Sequence, residues 1–329
     1  MRKFLIGFLL CLLLIVLGSV IFEKTYSYPS QISYGVTFSP RYAKYLHLNW
    51  QSIYIQILDN LKVRYLRIPS YWDILQPEPG IYDFRETDFM LNEASKRDSK
   101  VILILGARQP RWPECHIPAW AKNLSVSERQ QKILEFIQRV VERYKDRSEI
   151  WAWQIENEPL LQGFGEDCDV PDKIFLKSEV TLVRSLSDKT IILTDSGELG
   201  FWIIPEQLSD VFGTTLYRKV YDKFFGYTTY PLPPYFYSLK SSLVRNIFAR
   251  SNQKTIIVEL QAEPWLANGT LMSPEQQAKL FTVEDFRSYV DYSRKTGFDE
   301  VYLWGVEWWY FMAEQGYPEY LEYAKTLFK

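Results

Sequence analysis

Ile150-Trp151-Ala152-Trp153-Gln154-Ile155-Glu156-Asn157-Glu158-Pro159 opens as a mainly apolar run and closes on two carboxylates, an amide and a proline. A short apolar run bounded in this way reads as a buried strand with polar groups gathered just past its end. Seven similar runs flank it: 33–38, 65–68 and 101–105 before it, then 190–193, 211–216, 255–258 and 300–304. Longer amphipathic stretches lie between them, among them 127–144, 173–186 and 237–249. In 127–144, Ile133, Phe136, Ile137 and Val140 recur at the three- and four-residue steps of one buried helical face. Ser125 and Glu128 have capping-box spacing ahead of it, and Ser273-Pro274 starts another helix. A last helix is expected over 319–328, and the Pro- and Tyr-rich segment 227–237 reads as a long loop.

Strands alternating with helices predict a parallel sheet covered by helices. Eight such units in a chain of 329 residues fit a closed (β/α)8 TIM barrel. The alternative is an open doubly wound sheet, weakened by the absence of a Gly-rich phosphate fingerprint after the first strand.

Composition narrows the function. The 38 Lys+Arg against 40 Asp+Glu leave a net charge of −2, without the basic excess of a nucleic-acid binder. With His47 and His116 the only histidines, a multi-histidine metal site is nearly excluded and a Ser-His-Asp triad poorly supplied. No metal and no cofactor is expected. The 16% aromatic content, with 11 Trp, suits a cleft that stacks on flat apolar ligand faces.

Met1-Arg2-Lys3 precedes residues 4–22, which carry no charged side chain. Nineteen residues at ~1.5 Å each nearly cross a hydrocarbon core of ~30 Å. The expectation is a transmembrane helix within residues 1–24 that leaves the domain 25–329 outside the membrane, the basic flank staying inside. A cleaved signal sequence, which would make the protein secreted, is the alternative. Outside the cytoplasm Cys115 and Cys168 are able to pair, and two unrelated thiols are the other reading.

In a barrel of this kind the C-terminal ends of the strands face the active site. The second run ends Arg67-Ile68-Pro69, and the third leads into Arg108-Gln109-Pro110-Arg111-Trp112. The seventh ends Glu259-Leu260-Gln261-Ala262-Glu263-Pro264-Trp265, and the eighth Trp304-Gly305-Val306-Glu307-Trp308-Trp309. A core does not accommodate so many charged groups, because unpaired buried charge is costly. Glu158 and Glu259, on runs four and seven, would face each other across the mouth. Glycosidic hydrolysis needs such a pair, one to protonate the leaving oxygen and one to attack or to activate water.

Here the chain resembles the clan A glycoside hydrolases, the cellulase-like, β-galactosidase-like and β-xylosidase-like (β/α)8 enzymes. Asn157-Glu158-Pro159 is similar to the motif that ends their fourth strand. Leu66-Arg67, with Tyr71-Trp72 and Gln76-Pro77-Glu78-Pro79-Gly80-Ile81-Tyr82-Asp83-Phe84, resembles their second-strand arginine and its loop. Thr255-Ile256-Ile257-Val258-Glu259 resembles the strand that carries the nucleophile, and Trp304 the eighth-strand tryptophan beneath the sugar. The resemblance runs through nearly everything after residue 31. It implies Glu158 as acid/base, Glu259 as nucleophile, Asn157 on the sugar 2-hydroxyl, and Arg67 holding the nucleophile ionised. It also implies Tyr217 as a hydrogen-bond donor to the nucleophile, and Trp304 as the floor of an oligo- or polysaccharide site.

Several residues depart from the pattern. Glu156, two before Glu158, should point to the same side of the strand, as a supporting partner or as the acid. Glu263 competes with Glu259 for the nucleophile role. Arg108 and Arg111 stand where the family has a histidine, marking either an anionic or branched substrate or a structural ion pair. Asp195-Ser196-Gly197-Glu198 and Glu307 either bind hydroxyls or stabilise their loops, and Glu307 is taken as substrate-binding. Trp112, Trp120, Trp202 and Trp265 divide between cleft and packing, and His116 reads as a surface loop residue. The function expected is retaining hydrolysis of a β-linked glycan. The alternative is a catalytically inactive, membrane-tethered carbohydrate-binding barrel.

Overall fold

A computed structural model describes residues 28–166, 168–169, 172–250, 252–266 and 272–328. The strands in chain order are β1 (Ser33–Thr37), β2 (Tyr65–Pro69), β3 (Lys100–Leu105), β4 (Ile150–Ile155), β5 (Thr190–Asp195) and β6 (Val211–Leu216). There follow β7 (Lys219–Asp222), β8 (Gly226–Thr229), β9 (Lys254–Gln261) and β10 (Glu300–Trp304). β1–β6, β9 and β10 form a closed parallel barrel, sealed where Ser33–Thr37 pairs with Glu300–Trp304. Closure removes the open doubly wound sheet from consideration. All eight expected runs are barrel strands.

Ile102, Ala152, Ile192, Ile256, Val258 and Tyr302 fill the barrel interior. A larger apolar layer binds the helices to its outer face. The helix Val126–Tyr144 buries Ile133, Phe136, Ile137 and Val140 as its period requires, and Ser125 with Glu128 closes the capping box. A second capping box, Ser273 with Gln276, starts Pro274–Leu280.

Three features differ from the sequence reading. β9 runs on to Gln261, so Glu259 lies within the strand rather than at its end. The segment read as a loop from 227 begins inside an antiparallel hairpin, β7–β8, and turns helical at Tyr235–Phe248. The last helix is Glu319–Lys325, three residues shorter than expected. No helix among the described residues is long and apolar enough to cross a membrane, and the segment 1–24 expected to do so lies outside them.

Cys115 and Cys168 form a disulfide that ties the loop after β3 to the loop after β4. By the chain-entropy argument a bridge over 53 residues contributes about 4 kcal/mol. Reductant is therefore expected to lower the melting temperature by several degrees, and an unchanged melt would contradict this.

Candidate active site

Arg67 is the centre of the polar cluster at the C-terminal mouth. It shares the inward face of β2 with Tyr65 and is fully buried. Nε donates to Gln154 on β4 (2.7 Å), Nη2 to Asn157 (2.7 Å), and Nη1 to Glu259 on β9 (2.7 Å). Nη1 also reaches Thr37 on β1 at 3.3 Å. A planar fork with fixed donors suits this task in a way a lysine would not. The buried Arg67–Glu259 ion pair has its charges matched at source, which is the condition for keeping them out of water.

Glu259 reaches the mouth through a bulge. Thr214 pairs with Ile257 but Thr215 with Glu259, so β9 carries one residue more than β6 at this point. Ile256 and Val258 alternate into the interior, and strict alternation would send Glu259 outward. The extra residue re-aims it, a usual role of bulges beside active sites. Its second oxygen accepts from Tyr217 Oη at 2.8 Å. Burial, then the Glu259 charge, push the Tyr217 hydroxyl well above its ordinary range, so it stays a donor.

Glu158 sits opposite. Its Oε1 accepts from Thr215 Oγ1 at 3.0 Å, and Thr215 is the register partner of Glu259, so one strand residue brings the two carboxyls together. Its backbone N–H donates to Thr194 Oγ1 at 2.8 Å. Burial, followed by the Glu259 charge, holds the Glu158 carboxyl well above the usual carboxylate range. One carboxyl thus rests against a guanidinium, while its neighbour has no cation in hydrogen-bond contact among the described residues and is held above the ordinary range.

Asn157 Oδ1 accepts from Arg67, and its Nδ2 donates to Glu114 Oε2 at 3.2 Å. Glu114 was not singled out in the sequence. It is buried on the loop after β3, and desolvation, then the Glu259 charge, push its carboxyl up to about 8. The only sequence signal for it is its neighbour Cys115, whose disulfide fixes this loop. Glu198 is likewise more than a turn residue. It accepts from Tyr217 N at 3.0 Å and Tyr237 Oη at 2.5 Å, and so supports the tyrosine that touches Glu259.

Arg111 forms a second cluster. Its guanidinium lies between the rings of Tyr42 (3.8 Å) and Trp304 (4.1 Å) and pairs with Glu263 and with Glu307 (2.8 Å). Glu307 is fully buried in the first turn of Val306–Glu314, and its other oxygen accepts from Ser39 N. Glu307 was expected to hold a sugar hydroxyl; both its oxygens are instead taken up by the protein. Trp304 has a face covered by Arg111. Glu263 is bound to Arg111 and stands apart from the Arg67 network. Arg111 is thus the ion pair that one of the sequence readings expected, whereas Arg108 donates to two backbone carbonyls, Leu161 O (2.8 Å) and Phe164 O (3.0 Å).

Two placements correct the sequence reading. Glu156 does not share a side with Glu158, because both have left-handed backbones (φ 56° and 44°) and alternation ends at Ile155. Its carboxyl accepts from Ala107 N and Arg108 N and lies beside Glu179, shaping the β3 loop. His116 is buried, not on the surface: Nδ1 lies 3.1 Å from Arg41, Nε2 3.1 Å from Arg111 O, and the ring packs on Tyr71. Asp195 accepts from Ser196 N and Trp202 N and so folds its own loop. Trp308 and Trp309 are core, and Trp120 packs on Trp72. Trp112, Phe164 and Trp265 form a chain of ring contacts that ends on Tyr217. Among the described residues no His/Cys/Asp/Glu group could hold a metal ion.

A family profile described as Glycosyl hydrolase family 10 matches residues 70–170. The β-galactosidases LacZ and LacA of Lactobacillus acidophilus are 26% and 27% identical over 164 residues, 43% of this chain. Those matches span only 24% of the relatives' own length. Among solved structures, a GH5_18 protein of Bifidobacterium longum subsp. longum superposes with TM-score 0.60 at 10% identity, over 84% of this chain and 70% of that one. A glycosylated family 10 endo-β-1,4-xylanase of Gloeophyllum trabeum gives 0.55 at 15%, over 84% of both chains. A β-galactosidase of the psychrophilic Marinomonas ef1 gives 0.56 at 14%, over 83% and 54%. At these identities the structures speak for the fold, and all of these proteins fall within the clan that the sequence resembles.

Proposed function

We propose, for a chain whose likeness to the clan A glycoside hydrolases is common to its sequence, its family match and its fold, that it is a retaining glycosidase acting on β-linked glycans. Glu259 attacks the anomeric carbon while Glu158 protonates the departing glycosidic oxygen. Glu158, now a carboxylate, then takes a proton from the water that releases the sugar from Glu259. Tyr217 and Arg67 hold Glu259 on its two oxygens, which leaves it oriented for attack. Asn157 has one N–H left after Arg67 and Glu114 are served, and this is its donor for the sugar 2-hydroxyl. The observation that carries the reading is the unequal setting of the two carboxyls around Thr215. Release of reducing sugar from a panel of β-glucans, β-xylans and β-galactans tests it. Binding without release from any of them would favour the inactive carbohydrate-binding barrel.

The charge-free segment 4–22 supports a membrane tether that holds the barrel outside the membrane. Deleting residues 1–24 is expected to yield a soluble, active domain, because the barrel closes on its own core. The full-length protein is expected to stay on membranes in high salt, which screens an electrostatic attachment but not an inserted helix. Release by salt would contradict the tether.

A further inference from the structure

The hairpin β7–β8 has no part in the barrel, yet its root lies against the catalytic frame. Arg218 N and Lys219 N both donate to Gln261 Oε1 (2.9 Å each), and Gln261 Nε2 returns a bond to Lys219 O at 2.8 Å. Gln261 is two residues beyond Glu259 on β9, and Tyr217, which touches Glu259, is two residues before the hairpin begins. Four residues per strand at ~3.4 Å each carry the tip about 14 Å from this root. Lys219 Nζ ties the root to Leu280 O at 2.9 Å, and Tyr221, Lys223, Thr228 and Thr229 are exposed along the hairpin.

Its tip is built to expose two aromatic rings. Asp222 Oδ1 accepts from Phe224 N (2.7 Å) and Phe225 N (3.1 Å), and Gly226 completes the turn at φ 71°. Phe224 and Phe225 are 78% and 80% exposed. Lys223 Nζ lies 4.9 Å from the Phe224 ring centre, and the Phe225 ring has no such cover among the described residues; adjacent phenylalanines this exposed are costly to solubility, and contiguous exposed apolar groups mark interaction sites. Free two-stranded hairpins are marginally stable. This one is reinforced by the Tyr221–Tyr227 ring pair and by the Asp222 cap.

We infer that the Phe224–Phe225 tip is a glycan-binding platform remote from the point of cleavage, which takes the apolar faces of sugar units in a polysaccharide chain threaded past the mouth. The inference rests on the proposed glycosidase reading and adds that the natural substrate is a polymer, long enough to follow the hairpin for the ~14 Å from its root to its tip. A lipid surface fits the geometry less well. Residues 28–32 lead into the N-terminal end of β1, at the opposite end of the barrel, so a tethered barrel would turn the hairpin away from the bilayer.

The test is the double variant Phe224→Ala/Phe225→Ala in the full chain, measured in three ways. On long β-glycans KM is expected to rise about tenfold, the loss of about 1.4 kcal/mol. On a short aryl β-glycoside kcat/KM is expected to stay within about twofold, since nothing there reaches the tip. Retardation in native gels cast with the same glycans is expected to fall. Equal loss on both substrates would show a structural role, and no loss on either an idle tip; both overturn the platform. A wild-type dimer that becomes monomeric in the variant would make the tip a self-association surface and overturn it as well. If the wild type is retarded by glycan but hydrolyses none, the glycosidase reading fails while retardation still judges the platform. No retardation and no hydrolysis by the wild type would end both.

Discussion

Glu158→Gln is expected to lower turnover of natural β-glycans by about 10²–10⁴-fold, the usual worth of general acid catalysis. Aryl glycosides with good leaving groups should be far less affected in the step that cleaves them, because they depart without a proton. The pH dependence has a definite sign. Burial and the Glu259 charge raise the Glu158 carboxyl well above the ordinary range, so the acid form persists into that raised range. Wild-type activity on glycans should therefore fall as pH rises through it. In the Gln variant that alkaline limb should be missing on activated substrates. Near-wild-type release from natural glycan by the variant would remove Glu158 from the acid role.

Glu259→Ala is expected to abolish hydrolysis to within a small residue, as removal of a nucleophile does elsewhere. It also leaves Arg67 buried without its counter-charge, a loss of about 3–5 kcal/mol when one partner of such a pair is removed. Circular dichroism and a melt must therefore accompany the kinetics. Added azide separates the chemical loss from the structural one. A small anion in the vacated space should restore some turnover and give a glycosyl azide of opposite anomeric configuration. A merely structural Glu259 could not give that product.

The barrel was legible because each strand is a compact apolar run closed by polar residues, and because helix 127–144 advertises its buried face through Ile133, Phe136, Ile137 and Val140. The meeting of Arg67, Asn157, Tyr217 and Glu259 followed from strand order and the family resemblance together. What stayed hidden depends on backbone detail that residue type does not encode. The bulge at Val258 decides where Glu259 points, and the left-handed φ of Glu156 turns a residue of the right parity away from the mouth. Glu114 arrives on an irregular loop fixed by the Cys115–Cys168 bridge, where no period exists to read. Glu307 looked like a ligand group because sequence shows a carboxylate past a strand but not the guanidinium and amide that occupy it. His116 was misplaced for the same reason: the Arg41, Arg111 and Tyr71 partners that bury it are brought by the fold. The hairpin β7–β8 escaped notice because both of its faces are half-exposed, which leaves no clear alternation.

The measurement that bears most directly on the catalytic assignment is covalent trapping. An activated 2-deoxy-2-fluoro β-glycoside of the sugar found in the glycan panel should inactivate the enzyme with time, because fluorine slows breakdown of the glycosyl intermediate. Digestion and mass spectrometry should then place a single sugar on Glu259, the carboxylate held by Arg67 and Tyr217. A label on Glu263, or no label with clean inversion at the anomeric carbon, would contradict the account.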